Sequence, residues 1–162
     1  MVGIKNVTIY TDGACIGNPG PGGYAAVVVG TGVYRQVSGG FRRTTNNRME
    51  IMAAIAGLEA LKEPSKVTLY SDSEYLVKAM ALGWARKWRS KGWMRTSTQK
   101  ALNADLWERL LALSERHQVE FRWVPGHNGV AGNELCDRLA VEAAKRRDLP
   151  EDRGYSPRRW GR

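Results

Sequence analysis

The chain has 162 residues, enough for one domain with a sizeable core, and no apolar run approaches the length of a membrane span. Twenty-five basic against 16 acidic side chains leave a formal charge of +9, which points to a polyanionic partner or to solubility alone, so the distribution of charge decides. Two cysteines, Cys15 and Cys136, give neither a zinc spacing nor a disulfide framework, and "MVGIKNVTIY" has no long apolar signal core, so a reduced, cytoplasmic setting is expected.

Val7 to Tyr10 reads as a strand whose C-terminal end carries Asp12. The glycine-rich "GACIGNPGPGG" that follows could cradle a phosphate or form a hinge that displays Asp12. A phosphate cradle needs glycines that open a helix. Here Tyr24 to Val29 reads as a second strand, and no Gly-Lys-Ser/Thr is present. A tight loop between antiparallel strands is therefore expected. Val33 to Ser38 is a third strand, reached through the Gly30-Thr31-Gly32 turn.

Thr44 to Asn47 offers N-cap residues, and "RMEIMAAIAGLEALK" predicts a helix ending near Pro64. Val67 to Tyr70 is a fourth strand, followed by "SDSEYL". Helices are expected over Glu74–Ala81, over part of Trp84–Arg89, and over 103–117 with Asn103 as cap. Val119 to Val124 is a fifth strand. A loop over 126–133 leads into a last helix, "ELCDRLAVEAAKR". This succession implies an α/β fold with a five-stranded mixed sheet, three antiparallel strands then two parallel, and helices on both faces.

Four acids stand out. Glu50 is the only charged residue between Met49 and Leu58, on a helix apolar nearly all round. It either binds a cation or a partner there, or closes a capping box with Asn47. Asp72 follows the fourth strand; it could cap the next helix, or Ser71 and Glu74 could form a capping box. Asp137 sits on the last helix, where a solvated face would also explain it. Asp12 and Asp72 strengthen each other, because sites gather beyond the C-terminal ends of parallel strands. Carboxylates side by side raise one another's pKa or share a cation, and hard oxygen donors suit Mg2+ or Mn2+.

Basic charge concentrates in two places. "GWARKWRSKGWMRTSTQK", residues 83–100, holds six Lys/Arg, no acid and three of the six tryptophans. Residues 147–162 form a basic tail, poor in apolar periodicity and expected to be partly disordered. Residues 1–146 are expected to form the single domain that includes the basic segment.

Together, "YTDGACIGNPGPGGY", "TTNNRMEIMAAIAGLEAL", "SDSEYL", "KWRSKGW", "DLWERL" and "WVPGHNGVAGNELCDRLA" resemble type 1 ribonuclease H of the bacterial kind, in order from about residue 7 to 145. The resemblance implies the ribonuclease H-like fold. It implies an endonuclease that cuts the RNA strand of RNA–DNA hybrids by two-metal catalysis, leaving 5′-phosphate and 3′-hydroxyl ends. Asp12, Glu50, Asp72 and Asp137 then hold two Mg2+ ions, with Mn2+ as a substitute. His127 moves protons or assists product release, and Glu134 assists near the metals. Cys15, Asn18, Asn46 and Asn47 match positions that touch the minor groove of the hybrid. Arg43, Thr45 and Asn103 match a pocket for a DNA phosphate. Trp84, with Trp88, Lys91 and Trp93, matches the basic handle that grips the DNA strand. Trp88 and Trp107 are expected in the core, and Trp84 partly exposed. A monomer without membrane or obligate protein partner is expected.

The pattern departs at Glu74, where the resemblance expects glutamine and where an extra negative charge meets the substrate side. It departs also at Pro125, where a lysine is expected, and at Val130 and Ala131 after His127. Two rival readings remain: a nuclease or strand-transfer enzyme of the same fold acting on DNA, and a non-catalytic hybrid-binding module.

Overall fold

The computed structural model describes residues 5–126 and 129–155. Its centre is one five-stranded sheet in the order β3-β2-β1-β4-β5. Strands β1 (Lys5–Cys15), β2 (Gly20–Gly30) and β3 (Val33–Thr44) form an antiparallel meander. Strands β4 (Ser65–Ser71) and β5 (Gln118–Trp123) run parallel to β1 and to each other. The glycine-rich stretch runs into β2, not into a helix, so it offers no helix N-terminus to a phosphate.

Alternation along β2 divides the interior. Ala26 and Val28 join the main core with Ile9, Leu69 and helix α1 (Asn46–Glu59); Ala25 and Val27 pack on the opposite side against Cys136 and Ala140 of helix α5 (Ala131–Ala144). Gly23 explains how α5 sits so close, since a Cβ there would collide with the Ala140 carbonyl. On the main side, α1 is buried continuously from Arg48 to Leu58, as its all-round apolar character predicts. Helices α2 (Glu74–Ala81), α3 (Trp84–Ser90) and α4 (Ala104–Arg116) complete that layer. Trp107 is fully buried at its centre, with Tyr75 and Trp88 packed on its ring. Trp84 is 39% exposed.

Several local expectations are corrected. Strand β1 does not end at Asp12: it continues to Cys15, because β2 goes on pairing with it after β4 has stopped. Helix α1 is capped by Thr45, within the expected stretch Thr44 to Asn47: its hydroxyl accepts from Arg48 N, so the alternative box of Asn47 and Glu50 is not the cap. Ser73, not Asp72 or Ser71, caps α2 through Leu76 N. Asn103 precedes α4 in the left-handed region (φ 63°), yet its side chain makes no cap bond. Residues 147–155, the first part of the expected tail, are held to the domain. Arg42 N donates to the Pro150 carbonyl, and Asp152 is buried, accepting from Thr44 Oγ1 at 2.7 Å and from Arg48 Nε at 2.7 Å.

His117 ties two strands together: the Ser65 N–H at the start of β4 donates to its Nδ1 at 3.0 Å, just before β5 begins. Burial, helped by Arg116, pushes its pKa down. A protonated Nδ1 cannot accept that bond. The unfolded imidazole therefore takes up a proton first as pH falls, and folding loses His117's contribution below the ordinary pKa of about 6.5. In urea unfolding, the parent should lose stability relative to His117→Asn on going from pH 8 to pH 5.5; equal pH dependence in both would remove the effect.

Candidate active site

The parallel ladder between β1 and β4 ends at the pair Tyr10 and Tyr70. One residue further, Thr11 Oγ1 donates to the Tyr70 carbonyl at 2.8 Å, and beyond that the strands part company. Asp12 and Asp72 flank the opening. Glu50 reaches it from α1, and Gly13 makes the approach possible: a Cβ on Gly13 would lie 2.5 Å from Glu50 N. The result is three carboxylates, each offering an oxygen, with those oxygens within 4.8 Å of one another. Asp137 and Glu134 border the same cleft from α5, together with Pro125, Gly126 and Asn133.

The electrostatics are those of a crowded, buried anion. Burial raises Asp12 to about 8, with the charges of Asp72 and Asp137 adding to it, while the Gly13 N–H (2.9 Å to Oδ1) works the other way. Burial also raises Glu50 well above its usual range, reinforced by Asp12 and Asp72. Glu50 Oε1 and Asp72 Oδ1 are buried without a hydrogen-bond partner among the described residues. Orphaned buried carboxylate oxygens are costly, and a hard divalent cation is the ligand that such a donor set fits. Asp72 is steadied from behind, where the Trp123 indole donates to its backbone carbonyl at 3.2 Å.

The remaining site candidates are spread over several parts of the structure. Cys15, Asn18, Thr45 and Asn46 meet where the β1–β2 loop touches the start of α1: Cys15 Sγ contacts the Gly17, Gly20 and Thr44 carbonyls, and Asn46 N donates to Asn18 Oδ1 at 3.1 Å. Arg43 and Asn47 are exposed on either side of this junction. Asn103 stands apart from it in sequence but is held by Arg48 from α1 and by the Tyr75 hydroxyl. Glu74 is exposed and paired with Lys78 at 3.1 Å, which partly offsets the extra charge noted from sequence. In the basic segment, Arg89 is engaged with Glu115, and the Trp93 indole donates to Glu108. His127 lies outside the described residues.

Sequence reasoning passed over Arg48, Asp105, Asp152, Tyr75 and Asn133. For Arg48 a signal existed, since an arginine opening a helix that is otherwise apolar must find an anion when it is buried. Its partner 104 residues away carried no such signal.

The ribonuclease H family profile (RNase H) matches residues 4–145. Among curated relatives, a ribonuclease H of Desulforamulus reducens is 59% identical over 149 residues, covering 92% of this chain and 94% of that protein. A ribonuclease H of Syntrophus aciditrophicus is 60% identical over 151 residues, covering 93% and 87%. Among solved structures, LC9-RNase H1, a type 1 RNase H with the type 2 active-site motif, superposes with a TM-score of 0.78 at 34% identity, covering 89% of this chain and 74% of that one. LC11-RNase H1 in complex with an RNA/DNA hybrid gives a TM-score of 0.65 at 25% identity, covering 85% and 96%.

Proposed function

This chain belongs to the ribonuclease H family, and from that premise we infer that it hydrolyses the RNA strand of RNA–DNA hybrids. The observation that carries the chemistry is the cluster of Asp12, Glu50 and Asp72, the first two buried and the third half-buried, whose unpartnered oxygens fit a divalent cation. Asp12, Glu50, Asp72 and Asp137 are the residues that would hold two Mg2+ ions, or Mn2+ in their place. When bound, such ions supply activation of the attacking water and charge stabilisation at phosphorus and the leaving oxygen.

The chain's own residues set the frame for that reaction. Gly13 lets α1 carry Glu50 against β1, and its N–H fixes one oxygen of Asp12. Trp123 holds the backbone of Asp72. A water oxygen bonds to phosphorus and the bond to the 3′ oxygen breaks. The proton that water gives up is balanced by one gained at the 3′ oxygen, leaving 5′-phosphate and 3′-hydroxyl ends. Cys15, Asn18, Asn46 and Asn47 face the minor groove, where the 2′-hydroxyls of RNA are displayed. Arg43, Thr45 and Asn103 take a phosphate of the DNA strand, and Trp84 with the basic segment 83–100 grips that strand further along. His127 serves proton movement or product release. The enzyme acts as a monomer in the cytoplasm; among the described residues no helix is long and apolar enough to cross a membrane.

Matched RNA–DNA, DNA–DNA and RNA–RNA duplexes, each with and without Mg2+, test this reading. Only the hybrid should be cut, only with the metal, and only in its RNA strand. Cleavage of DNA duplex would favour a DNA nuclease of the same fold, and hybrid binding without cleavage a binding module.

A further inference from the structure

Arg48 is the largest charged side chain in the interior, 2% exposed, and all five of its N–H groups are spent. Nε and Nη2 grip the two oxygens of Asp152 at 2.7 and 3.0 Å. Nη1 and Nη2 grip those of Asp105 at 2.9 and 2.7 Å. The fifth goes from Nη1 to Asn103 Oδ1 at 3.3 Å. A guanidinium has five donors and no acceptor, so Arg48 has none left for a substrate anion. It can act on one only through a neighbour.

Asn103 is that neighbour. It sits at the N-cap position of α4 with a left-handed backbone, but its side chain leaves the helix uncapped. Its carbonyl oxygen turns to Arg48, and its amide nitrogen donates to the Tyr75 hydroxyl at 3.2 Å. Because Arg48 can only donate, it fixes which end of the amide is oxygen. The nitrogen end, with one N–H beyond the bond to Tyr75, is then the end left for an acceptor. A phosphate is an acceptor, and a flipped amide would offer it an oxygen instead.

We propose that Arg48, clamped by Asp152, is a positioning residue for DNA-strand binding, holding the Asn103 amide with its N–H side toward the phosphate. The proposal rests on the reading of Asn103 as a phosphate contact. It gives residues 147–155 a part in substrate recognition, at a distance from the carboxylate cluster.

The test is a cycle of Asp152→Asn and Asn103→Ala, alone and combined, in steady-state cleavage of a hybrid well below each variant's melting temperature. Both oxygens of Asp152 accept from Arg48, so an asparagine at 152 must turn an N–H2 toward a donor-only arginine in either orientation, which loosens the clamp. KM should rise on the order of three- to tenfold in Asp152→Asn, with a smaller change in kcat, the size expected for weakening one hydrogen bond to a charged group. In the Asn103→Ala background the same substitution should add less than twofold. Arg48→Lys, which keeps the charge and loses the planar fork, should repeat the KM effect. Through-space electrostatics predicts the opposite sign, because Asp152→Asn removes a negative charge near an anion site. An unchanged or lower KM, or an equal rise in both backgrounds, overturns the proposal. If Asn103→Ala alone leaves KM unchanged, the phosphate reading of Asn103 fails and the proposal falls with it.

Discussion

On the proposed function, Asp12→Asn should lower kcat by on the order of a thousandfold or more while leaving the chain folded, because several kcal/mol of transition-state charge stabilisation would depend on the cations that Asp12 would help to hold. Its effect on stability should have the opposite sign. Burial and the neighbouring acids raise Asp12 from 3.8 to about 8 in the folded protein. Between those values the folded state holds more protons than the unfolded one, so without divalent cations stability declines as pH rises from about 4 to 8. An amide has no such charge to suppress. In EDTA at pH 8 the variant should therefore melt no lower than the parent, and added Mg2+ should raise the parent's Tm more than the variant's. Near-normal turnover by a folded Asp12→Asn protein would remove Asp12 from the site.

Arg48→Ala should cost about 3–5 kcal/mol of stability, the usual penalty for stripping one partner from a buried ion pair. At this chain length that is a fall in Tm of about 10 °C. The cost falls mainly on Asp152, which is 7% exposed and cannot recover water, whereas Asp105, at 44%, can. Replacing both partners by apolar side chains, as in Arg48→Met with Asp152→Leu, should recover most of the loss, since no uncompensated charge stays inside. Urea denaturation of the two variants decides it; equal losses in both would mean that packing, not charge, holds this corner.

The sheet was legible in the sequence because its strands are β-branched runs punctuated by glycine, and α1 because its apolar residues leave almost no polar face. Glu50 was legible for the same reason: a lone acid in such a helix needs a partner. What escaped was whatever depends on the neighbour. Strand β1 passes Asp12 because β2 still pairs with it, and nothing local to residues 11–15 says so. The α1 cap could be narrowed to Thr44–Asn47 and no further, and Ser73 escaped as the cap of α2, since such residues are chemically alike and only backbone direction separates them. Asn103 was expected to cap α4; the pull of Arg48 and Tyr75, both distant in sequence, outweighed that local preference. The composition of 147–162 suggested a partly disordered tail, and nothing in it marked Asp152 as the residue that would be buried.

The separation of Arg48 from Asp152 also orders events at the ribosome. Synthesis delivers the arginine of α1 104 residues ahead of the carboxylate that matches it. A nascent chain that has completed α5 possesses every strand and helix among the described residues, yet must either keep the first turn of α1 hydrated or bury a cation that only Asp105 answers. Emergence of Asp152, rather than completion of the sheet, then marks the moment of tight closure. Chains arrested before residue 150 should stay sensitive to protease near the start of α1, and chains extended past residue 155 should not.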